Sequence, residues 1–337
     1  MSDVLPEAPP GTEAPLPLAG YTVAVTAARR REELGALLAR RGARVVYAPA
    51  IRIVPLADDA ELVAATREAL ARPVDLVVAT TGVGFRGWLE AADAWDLPLV
   101  EHLLSGAEGP LEGRRVAVQL HGDPLPDLVA GLRRTGAEVL TVPVYRWVLP
   151  EDVAPLHRLV SSIATAGVDA VTFTSAPAAA SLLTVAEELG LRDAVVAALR
   201  GRVLAVAVGP VTAGPLADAG IASQQPERAR LGALAREVVA RLPERDPVLA
   251  VGGHTLQVRG YAAVVDDRVV ELAPGPLSVL RALVARPGAV LSRSELVDVL
   301  GGGGDAHAVE MAVTRLRAAL GAPLVETVVK RGYRLKV

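Results

Sequence analysis

The sequence predicts an α/β protein with two parallel-sheet lobes, followed by a small C-terminal domain of helices and a β-hairpin. Short apolar strands alternate strictly with helices from Gly20 to Leu242, which is typical of parallel sheets. Two stretches of this region also repeat the same layout, which indicates two similar lobes. From Asp305 onward the pattern changes to one amphipathic helix and two β-rich runs.

The α/β region begins with the buried strand YTVAVTA, the helix Glu32–Arg41 that ends at Gly42, and the strand RVVYAP. The later elements follow the same alternation. They are the strand VDLVVATT, a helix after Gly84, strands at Arg114–Gln119 and Glu138–Pro143 around a helix at Asp127–Thr135, the strands VDAVTFTS and RVLAVAVG with a helix after each, and a last helix at Leu231–Leu242.

The internal repeat places hydroxyl groups at equivalent points of the two lobes. Residues 74–93 and 168–190 each contain Val-Asp, an apolar strand, a hydroxyl pair and a helix. The pairs are Thr80–Thr81 and Thr174–Ser175. Because open α/β folds bind ligands at the carboxyl ends of their strands, beside helix N-termini, we expect ligand contacts there. Helix capping is the alternative role for these hydroxyls.

Composition limits the function classes. The 337 residues suggest two or three domains, and the net charge is only −3. There is no cysteine, and the five histidines are scattered, so disulfides and a zinc site are not expected. No apolar run is long enough to span a membrane, which favours a cytoplasmic protein without a membrane partner. Residues 1–19 contain five prolines and are expected to form a disordered arm.

A helix is predicted after Asp305, whose carboxylate can cap it. Val309, Val313, Leu316 and Leu320 form its apolar face at helical spacing. The other face carries polar and basic residues: His307, Met311, Thr314 and Arg315, with Arg317 at its flank. The run LVETVVKRGYRLKV then predicts a hairpin that turns at Lys330–Gly332, and residues 306–337 carry a net charge of +4. A basic helix and hairpin of this kind can contact the major groove and the backbone of DNA.

The residues upstream complete this module. Pro276 suits the first turn of a helix, and Arg286-Pro-Gly ends it. Ser292 and Glu295 form a capping box that begins a second short helix. Val264–Leu272 is predicted as two strands that turn at Asp266-Asp267.

The segments PGAVLSRSELVDVL, HAVEMAVTRLRAAL and VVKRGYRL resemble, in order, the winged-helix output domain of response-regulator transcription factors, over roughly the last quarter of the chain. The resemblance implies binding to double-stranded promoter DNA. His307 and Ala312 replace the usual Arg and His of the recognition helix, and Val329 replaces the usual wing Arg, so the base sequence read is expected to be unusual. The alternative is that these arginines only solvate a helix. The predicted DNA contacts are His307, Thr314, Arg315, Arg317, Lys330, Arg331 and Tyr333.

The two-lobed half resembles uroporphyrinogen-III synthase through VYAPAIRIVP, VDLVVATT, VPVYRW, VDAVTFTS and AVGPVTA. The resemblance implies that the chain passes between lobes at Ile51–Pro55 and Val144–Val148. The predicted domains are therefore a synthase-like domain at 20–245, with lobe one at 20–50 and 149–243 and lobe two at 56–143, and a winged helix at 248–337.

In that family a linear tetrapyrrole with many carboxylates binds between the lobes without metal or organic cofactor. The residues that match the family's binding positions, or lie at the strand ends, are Arg29, Thr80, Thr81, His121, Tyr145, Ser175 and Thr212. Tyr145 and Thr212 would be catalytic if the chain is active. The family's usual Thr in lobe two is replaced by the loop Gln119–Asp123, and Asp123 would repel a polycarboxylate.

Three functions remain open from the sequence. The first is a transcription regulator whose synthase-like half senses a small anionic or tetrapyrrole ligand. The second is a bifunctional uroporphyrinogen-III synthase that also binds DNA, and the third is a DNA-binding scaffold that recruits another regulator. The altered loops favour the first function and weigh against enzyme activity. The order of the two halves resembles actinobacterial regulators of nitrite and nitrate assimilation, which implies a second transcription regulator or RNA polymerase as partner.

Overall fold

A computed structural model of the chain describes residues 14–55, 60–80, 82–95, 97, 110–120, 125–301 and 305–336. Contacts divide the chain into a first unit, Met1–Ala50 with Asp152–Val337, and a second unit, Ile51–Glu151. The first unit therefore contains one synthase-like lobe together with the C-terminal domain. Among the described residues, no helix combines the length and apolar character needed to cross a bilayer.

The synthase-like lobe of the first unit is built on a parallel sheet in the order β2-β1-β8-β9. Its strands are β1 (Thr22–Val25), β2 (Arg44–Tyr47), β8 (Ala170–Phe173) and β9 (Leu204–Ala207). Its helices are α1 (Arg31–Ala39), α5 (Ala154–Ala164), α6 (Ala176–Glu188), α7 (Arg192–Arg200), α8 (Pro210–Asp218) and α9 (Leu231–Arg241). Two fully buried threonines bond to the backbone of this sheet: Thr26 donates to the Thr172 carbonyl at 2.8 Å, and Thr172 donates to the Ala24 carbonyl at 3.0 Å. These bonds tie the central strands together.

The second unit contains a parallel sheet in the order β4-β5-β6 and an antiparallel pair, β3 with β7. The strands are β3 (Arg52–Pro55), β4 (Leu76–Ala79), β5 (Arg115–Leu120), β6 (Glu138–Pro143) and β7 (Tyr145–Val148). The helices are α2 (Ala60–Ala71), α3 (Gly82–Ala94) and α4 (Pro126–Arg134). The indole of Trp88 is fully buried and donates to the Thr66 hydroxyl at 2.9 Å, which joins α3 to α2.

The C-terminal domain is a winged helix. It begins with a four-stranded antiparallel sheet: β10 (Leu249–Val251), β11 (His254–Val258), β12 (Ala262–Val265) and β13 (Arg268–Glu271). Three helices follow: α10 (Pro274–Ala285), α11 (Arg293–Val299) and α12 (Ala306–Leu320). The domain ends with a hairpin formed by β14 (Val325–Val328) and β15 (Gly332–Leu335). The predicted helix starts are confirmed. Asp305 accepts from the Ala308 amide at 2.9 Å, and Ser292 and Glu295 form a reciprocal capping box.

One sequence-based expectation is corrected. Part of the expected disordered arm is folded, because Leu18 is fully buried and its amide donates to the Arg41 carbonyl at 2.8 Å. Residues 1–13 lie outside the described residues. The crossing segments Ile51–Pro55 and Val144–Val148 were expected to pair, and this is confirmed, because they contain the antiparallel strands β3 and β7.

Several elements were not predicted, among them β10, β11, α2, α5 and α7. The strand β10 has only three residues, and β11 is polar in part. The sequence of α2, AELVAATREALA, contains five alanines, which gives a weak apolar stripe.

The capping box of Ser292 and Glu295 should make the stability of the C-terminal domain depend on pH. Hydrogen bonds from the backbone amide and hydroxyl of Ser292, then from Arg286, lower the pKa of Glu295 to about 2. A lowered folded-state pKa stabilises the fold above the ordinary value of 4.5, and this stabilisation is lost as pH falls towards 2. Glu295→Gln should therefore flatten the acid limb of stability, measured by urea unfolding at several pH values. The exposed Glu188→Gln should leave that limb unchanged; equal acid limbs for both variants would contradict the prediction.

Candidate DNA-binding surface and ligand positions

The exposed face of α12 carries the side chains predicted to contact DNA. His307, Thr314 and Arg315 are exposed, and so is Met311, whose side chain lies between them along the helix. The opposite face, with Val309, Val313, Leu316 and Leu320, is buried in the domain core. The spacing of apolar residues in the sequence therefore predicted the buried and the exposed face of α12 correctly. Because one face packs in the core, the opposite face must point to solvent.

One acidic side chain lies on this exposed face. Glu310 pairs with Arg293, with 3.3 Å between Nε and the carboxylate. The Arg293 guanidinium also lies 5.4 Å from the centre of the Tyr333 ring. Because Arg293 offsets the charge of Glu310, the net charge of the face is set by Arg315, and an anionic DNA backbone is not repelled.

The tip of the β14–β15 hairpin is basic and projects from the domain. Val329, Lys330 and Arg331 form the turn, and all are exposed. Val329 is 77% exposed, so this turn is open to solvent. Lys330 has a left-handed backbone, with φ of 62°.

Arg317 and Tyr333 differ from the other predicted DNA contacts. Arg317 donates to the Val325 carbonyl at 3.0 Å and to the Thr327 hydroxyl at 2.9 Å. Tyr333 is only 4% exposed and packs in the core. The prediction that Tyr333 contacts DNA is therefore corrected: its ring is buried because β15 turns it towards the helices. Arg317 holds the hairpin to α12.

Arg315 and Arg317 look alike in the sequence, but their contacts predict different effects of substitution. Arg317→Ala should lower the free energy of unfolding by about 1–2 kcal/mol, because it removes two hydrogen bonds from a charged donor, and it should weaken DNA binding by loosening the hairpin. Arg315→Ala should weaken DNA binding without changing stability. Urea unfolding and DNA titrations on both variants check this; a destabilised Arg315→Ala variant with a native-like Arg317→Ala variant would contradict it.

In the synthase-like lobe of the first unit, Arg29, Ser175 and Thr212 lie at one sheet edge. Since β1, β8 and β9 are parallel, their carboxyl ends meet there, and α1, α6 and α8 begin from it. Arg29 is exposed, Ser175 is partly buried, and Thr212 is 6% exposed in the first turn of α8. Ser175 is the N-cap residue of α6, yet among the described residues its side chain accepts no capping hydrogen bond. Capping therefore does not account for this serine.

The second unit contains the other candidates. Thr80 donates to the Gln119 carbonyl at 2.8 Å, which links the ends of β4 and β5. Tyr145 begins β7, is 9% exposed and lies 6.2 Å from Trp147 between ring centres. Thr81 and His121 lie outside the described residues. Thr80 thus has a structural contact that the sequence did not show, because its partner belongs to another strand.

Taken together, these elements define a class of protein: a uroporphyrinogen-III synthase-like α/β domain joined to a C-terminal winged helix. The family description "Uroporphyrinogen-III synthase HemD" matches residues 32–101 and 98–236. The description "Transcriptional regulatory protein, C terminal" matches residues 267–335. The chain belongs to the uroporphyrinogen-III synthase HemD family, and its C-terminal domain is of the response-regulator DNA-binding type.

Individual relatives agree with this division. A crystal structure of mutant uroporphyrinogen III synthase from the extremely thermophilic bacterium Thermus thermophilus is 30% identical, with a TM-score of 0.53, over 64% of this chain and 96% of that one. The uncharacterized protein YjjA of Bacillus subtilis (strain 168) is 27% identical over 268 residues, or 68% of this chain and 98% of the relative. The transcriptional regulatory protein CseB of Streptomyces coelicolor is 35% identical over 96 residues, or 28% of this chain and 41% of CseB. The chain thus spans less than half of CseB.

Proposed function

We propose that this protein is a transcription regulator that binds promoter DNA through α12 and the β14–β15 hairpin. The observation that carries this proposal is the pairing of an exposed polar helix face with a basic hairpin tip on one rigid domain. Helix and hairpin share the domain core, and Arg317 joins them directly. In winged helices of this type the helix enters the major groove while the hairpin contacts the backbone.

The charged side chains divide into two roles. Lys330 and Arg331 at the hairpin tip suit phosphate contacts, which give affinity without sequence information. His307, Met311 and Thr314 lie along the exposed helix face and suit contacts with base edges. Since a methionine offers no hydrogen-bond donor, an apolar contact with a thymine methyl group is the chemistry available to Met311.

DNA titrations over a range of salt concentrations test this function. The full chain should bind double-stranded DNA, with log affinity falling linearly with log salt. Arg331→Ala should weaken binding to every sequence and reduce the slope by about one. Thr314→Ala should change the preferred sequence with an unchanged slope. Salt-independent binding, or equal affinity for wild type and an Arg315→Ala/Arg331→Ala double variant, would reject the proposal.

We further propose that the synthase-like half senses a small anionic ligand. Its first-unit lobe supports this, because the helices α6 and α8 begin beside Ser175 and Thr212, and helix N-termini attract anions. Calorimetry with small anionic metabolites, including tetrapyrrole fragments, tests the idea on the full chain. Ser175→Ala should weaken binding, while Ser161→Ala, on the exposed face of α5, should not. Failure of every anion to bind would leave the recruiting scaffold as the remaining function.

The alternative is a bifunctional synthase, which family membership itself favours. Tyr145, which the resemblance matches to the family's tyrosine, begins β7. If the protein is an enzyme, it should consume hydroxymethylbilane and form uroporphyrinogen III, and Tyr145→Phe should abolish this. We expect little or no turnover, because productive positioning of a large substrate is sensitive to displacements of about 1 Å.

The biological setting is a proposal that rests on the order of the two halves alone. We place the protein in nitrite and nitrate assimilation in the cytoplasm, with a second transcription regulator or RNA polymerase as partner. Deletion of the gene should then alter transcription of assimilation genes when nitrate replaces ammonium. An unchanged transcript profile in that comparison would remove this setting without affecting the DNA-binding proposal.

A further inference from the structure

Within the first unit, the winged helix is joined to the synthase-like lobe by a dense set of polar contacts. The Tyr261 amide donates to the Gly20 carbonyl at 2.9 Å, and Arg259 donates to the Ala19 carbonyl at 2.8 Å. The Arg44 guanidinium stacks on the Tyr261 ring, 3.7 Å from its centre. Arg259 is only 8% exposed, so this junction is a built interface and not a flexible tether.

A cavity of about 480 Å³ lies in this junction. Its charged lining comes from both domains. Asp169 and Arg202 belong to the synthase-like lobe, Arg245 and Asp246 to the connection, and Arg259 and Arg281 to the winged helix. With both carboxylates ionised, these six groups carry a net charge of +2.

The charges of the cavity wall do not neutralise each other by direct contact. Among the described residues, no ion pair within 4.0 Å joins Asp169 or Asp246 to an arginine. The carboxylates are held by neutral donors instead: Asp169 accepts from the Thr22 amide at 2.7 Å, and Asp246 accepts from the Tyr21 hydroxyl at 2.8 Å. The arginines and carboxylates therefore face each other across the cavity space.

Two of the arginines are poorly compensated. Arg281 is partly buried and donates to the Gly260 carbonyl at 2.5 Å, and burial followed by the like charge of Arg202 lowers its pKa. Arg202 itself has no hydrogen bond or ion pair to any described residue. Two guanidinium groups that repel each other beside a cavity provide a site for an oxyanion, which can bridge them with charge-assisted hydrogen bonds.

The carboxylates add a second requirement. Asp169 is fixed by Thr22 and by close packing, since a Cβ on Gly260 would lie 1.9 Å from its Oδ2 atom. Burial raises the pKa of Asp169 to about 6, so it is ionised at slightly alkaline pH and accepts hydrogen bonds. An anion that also donates a hydrogen bond satisfies both sets of groups, whereas one without a proton meets two negative charges.

We propose that the junction cavity binds a phosphate-type anion that also donates a hydrogen bond, either hydrogen phosphate or a small phosphorylated metabolite with a free hydroxyl group. Its unprotonated oxygens accept from Arg202 and Arg281, and a hydroxyl group, of the phosphate or of the metabolite, donates to Asp169. The volume exceeds that of one phosphate ion, which leaves space for the remainder of a metabolite. The site joins the two domains, so its occupant stabilises their contact. It lies at the amino end of β8, away from the edge that holds Ser175.

Calorimetry and thermal unfolding of the full chain at slightly alkaline pH and constant ionic strength test this proposal. The probes are inorganic phosphate, glycerol 3-phosphate and sulfate, and sulfate is the control because it carries no proton. Wild-type protein should bind phosphate or the ester at least about tenfold more tightly than sulfate, with a rise in melting temperature. Tighter binding of the ester would identify a metabolite as the ligand, and tighter binding of phosphate would identify the free ion.

Two variants distinguish a specific anion-binding site from nonspecific ion binding. Arg202→Gln should weaken phosphate binding by roughly tenfold, while the exposed Arg236→Gln should not change it. Asp169→Asn keeps an acceptor for the Thr22 amide but supplies a donor, so it should weaken phosphate binding and strengthen sulfate binding. Equal binding of phosphate and sulfate, unaffected by Arg202→Gln, would indicate an adventitious ion only and would overturn the proposal, as would the absence of binding. DNA binding is measured separately and does not depend on this result.

Discussion

Gly332→Ala should abolish DNA binding by unfolding the hairpin from the helices. Gly332 has a backbone φ of 141°, a region that L side chains rarely adopt. An added Cβ would lie 1.9 Å from the Leu291 carbonyl oxygen and 2.7 Å from its carbon. Because both atoms belong to the backbone, a change of side-chain rotamer cannot relieve this clash.

The damage should extend beyond the turn. The next residue, Tyr333, exchanges two backbone hydrogen bonds with Leu291, at 2.8 and 2.9 Å, and Leu291 is followed directly by the capping residue Ser292. We expect a loss of roughly 3 kcal/mol or more from backbone strain and displaced packing together. DNA affinity should fall with it, because Lys330 and Arg331 lose their fixed position.

Gly253→Ala is the matched control. Gly253 also has a positive φ, 83°, and lies in a turn of the same domain, but no described atom lies within 4 Å of the point that an added Cβ would occupy. It should cost only about 1 kcal/mol and leave DNA binding intact. Urea unfolding and DNA titration measure both effects. Similar stability for the two variants would show that the Leu291 contact does not constrain the hairpin.

Arg115→Ala should strongly destabilise the second unit. Arg115 is 4% exposed, and its guanidinium donates to the carbonyls of Glu68, Ala69 and Arg72 at 2.6 to 3.1 Å. Glu68 and Ala69 lie in the last turn of α2, and Arg72 directly follows this helix. It also lies 3.3 Å from the half-exposed Glu138. Removal leaves several shielded carbonyls without a donor, and we expect a loss of about 3 kcal/mol.

Arg72→Ala is the control for Arg115. Arg72 pairs with the same Glu138, but its side chain is 61% exposed, so solvent screens the pair and its contribution to stability should be small. Proteolysis within residues 60–80 and unfolding curves of the full chain report on the second unit. DNA affinity should be unchanged in both variants, because α12 and the hairpin belong to the first unit. Equal effects of the two variants would contradict the assigned role of Arg115.

The positions of the main helices and strands follow from local signals in the sequence. Asp305, Ser292 and the spacing of Val309 to Leu320 act within one or two helical turns, so they can be detected without knowledge of the fold. The same applies to the exposed positions His307, Thr314 and Arg315. The alternation of strands and helices likewise predicted parallel sheets with strand ends at a common edge.

Partnerships between distant segments could not be predicted in this way. Arg315 and Arg317 are near neighbours on one helix, yet only Arg317 meets Val325 and Thr327, because the hairpin folds back over that side. The burial of Tyr333 depends on its register opposite Thr327. Leu18 was assigned to a disordered arm because its neighbours are prolines, but it fills a core formed by residues far along the chain.

The sequence by itself determined the two domain types, the order of their main elements and the basic, solvent-facing character of the C-terminal helix and hairpin. Only the tertiary structure decided which charged groups are engaged, which carbonyls Arg115 satisfies, and that charged residues from both domains line one cavity. The reason is physical. Helix and strand patterns arise from interactions between residues a few positions apart, whereas the environment of a charge depends on every segment that packs around it.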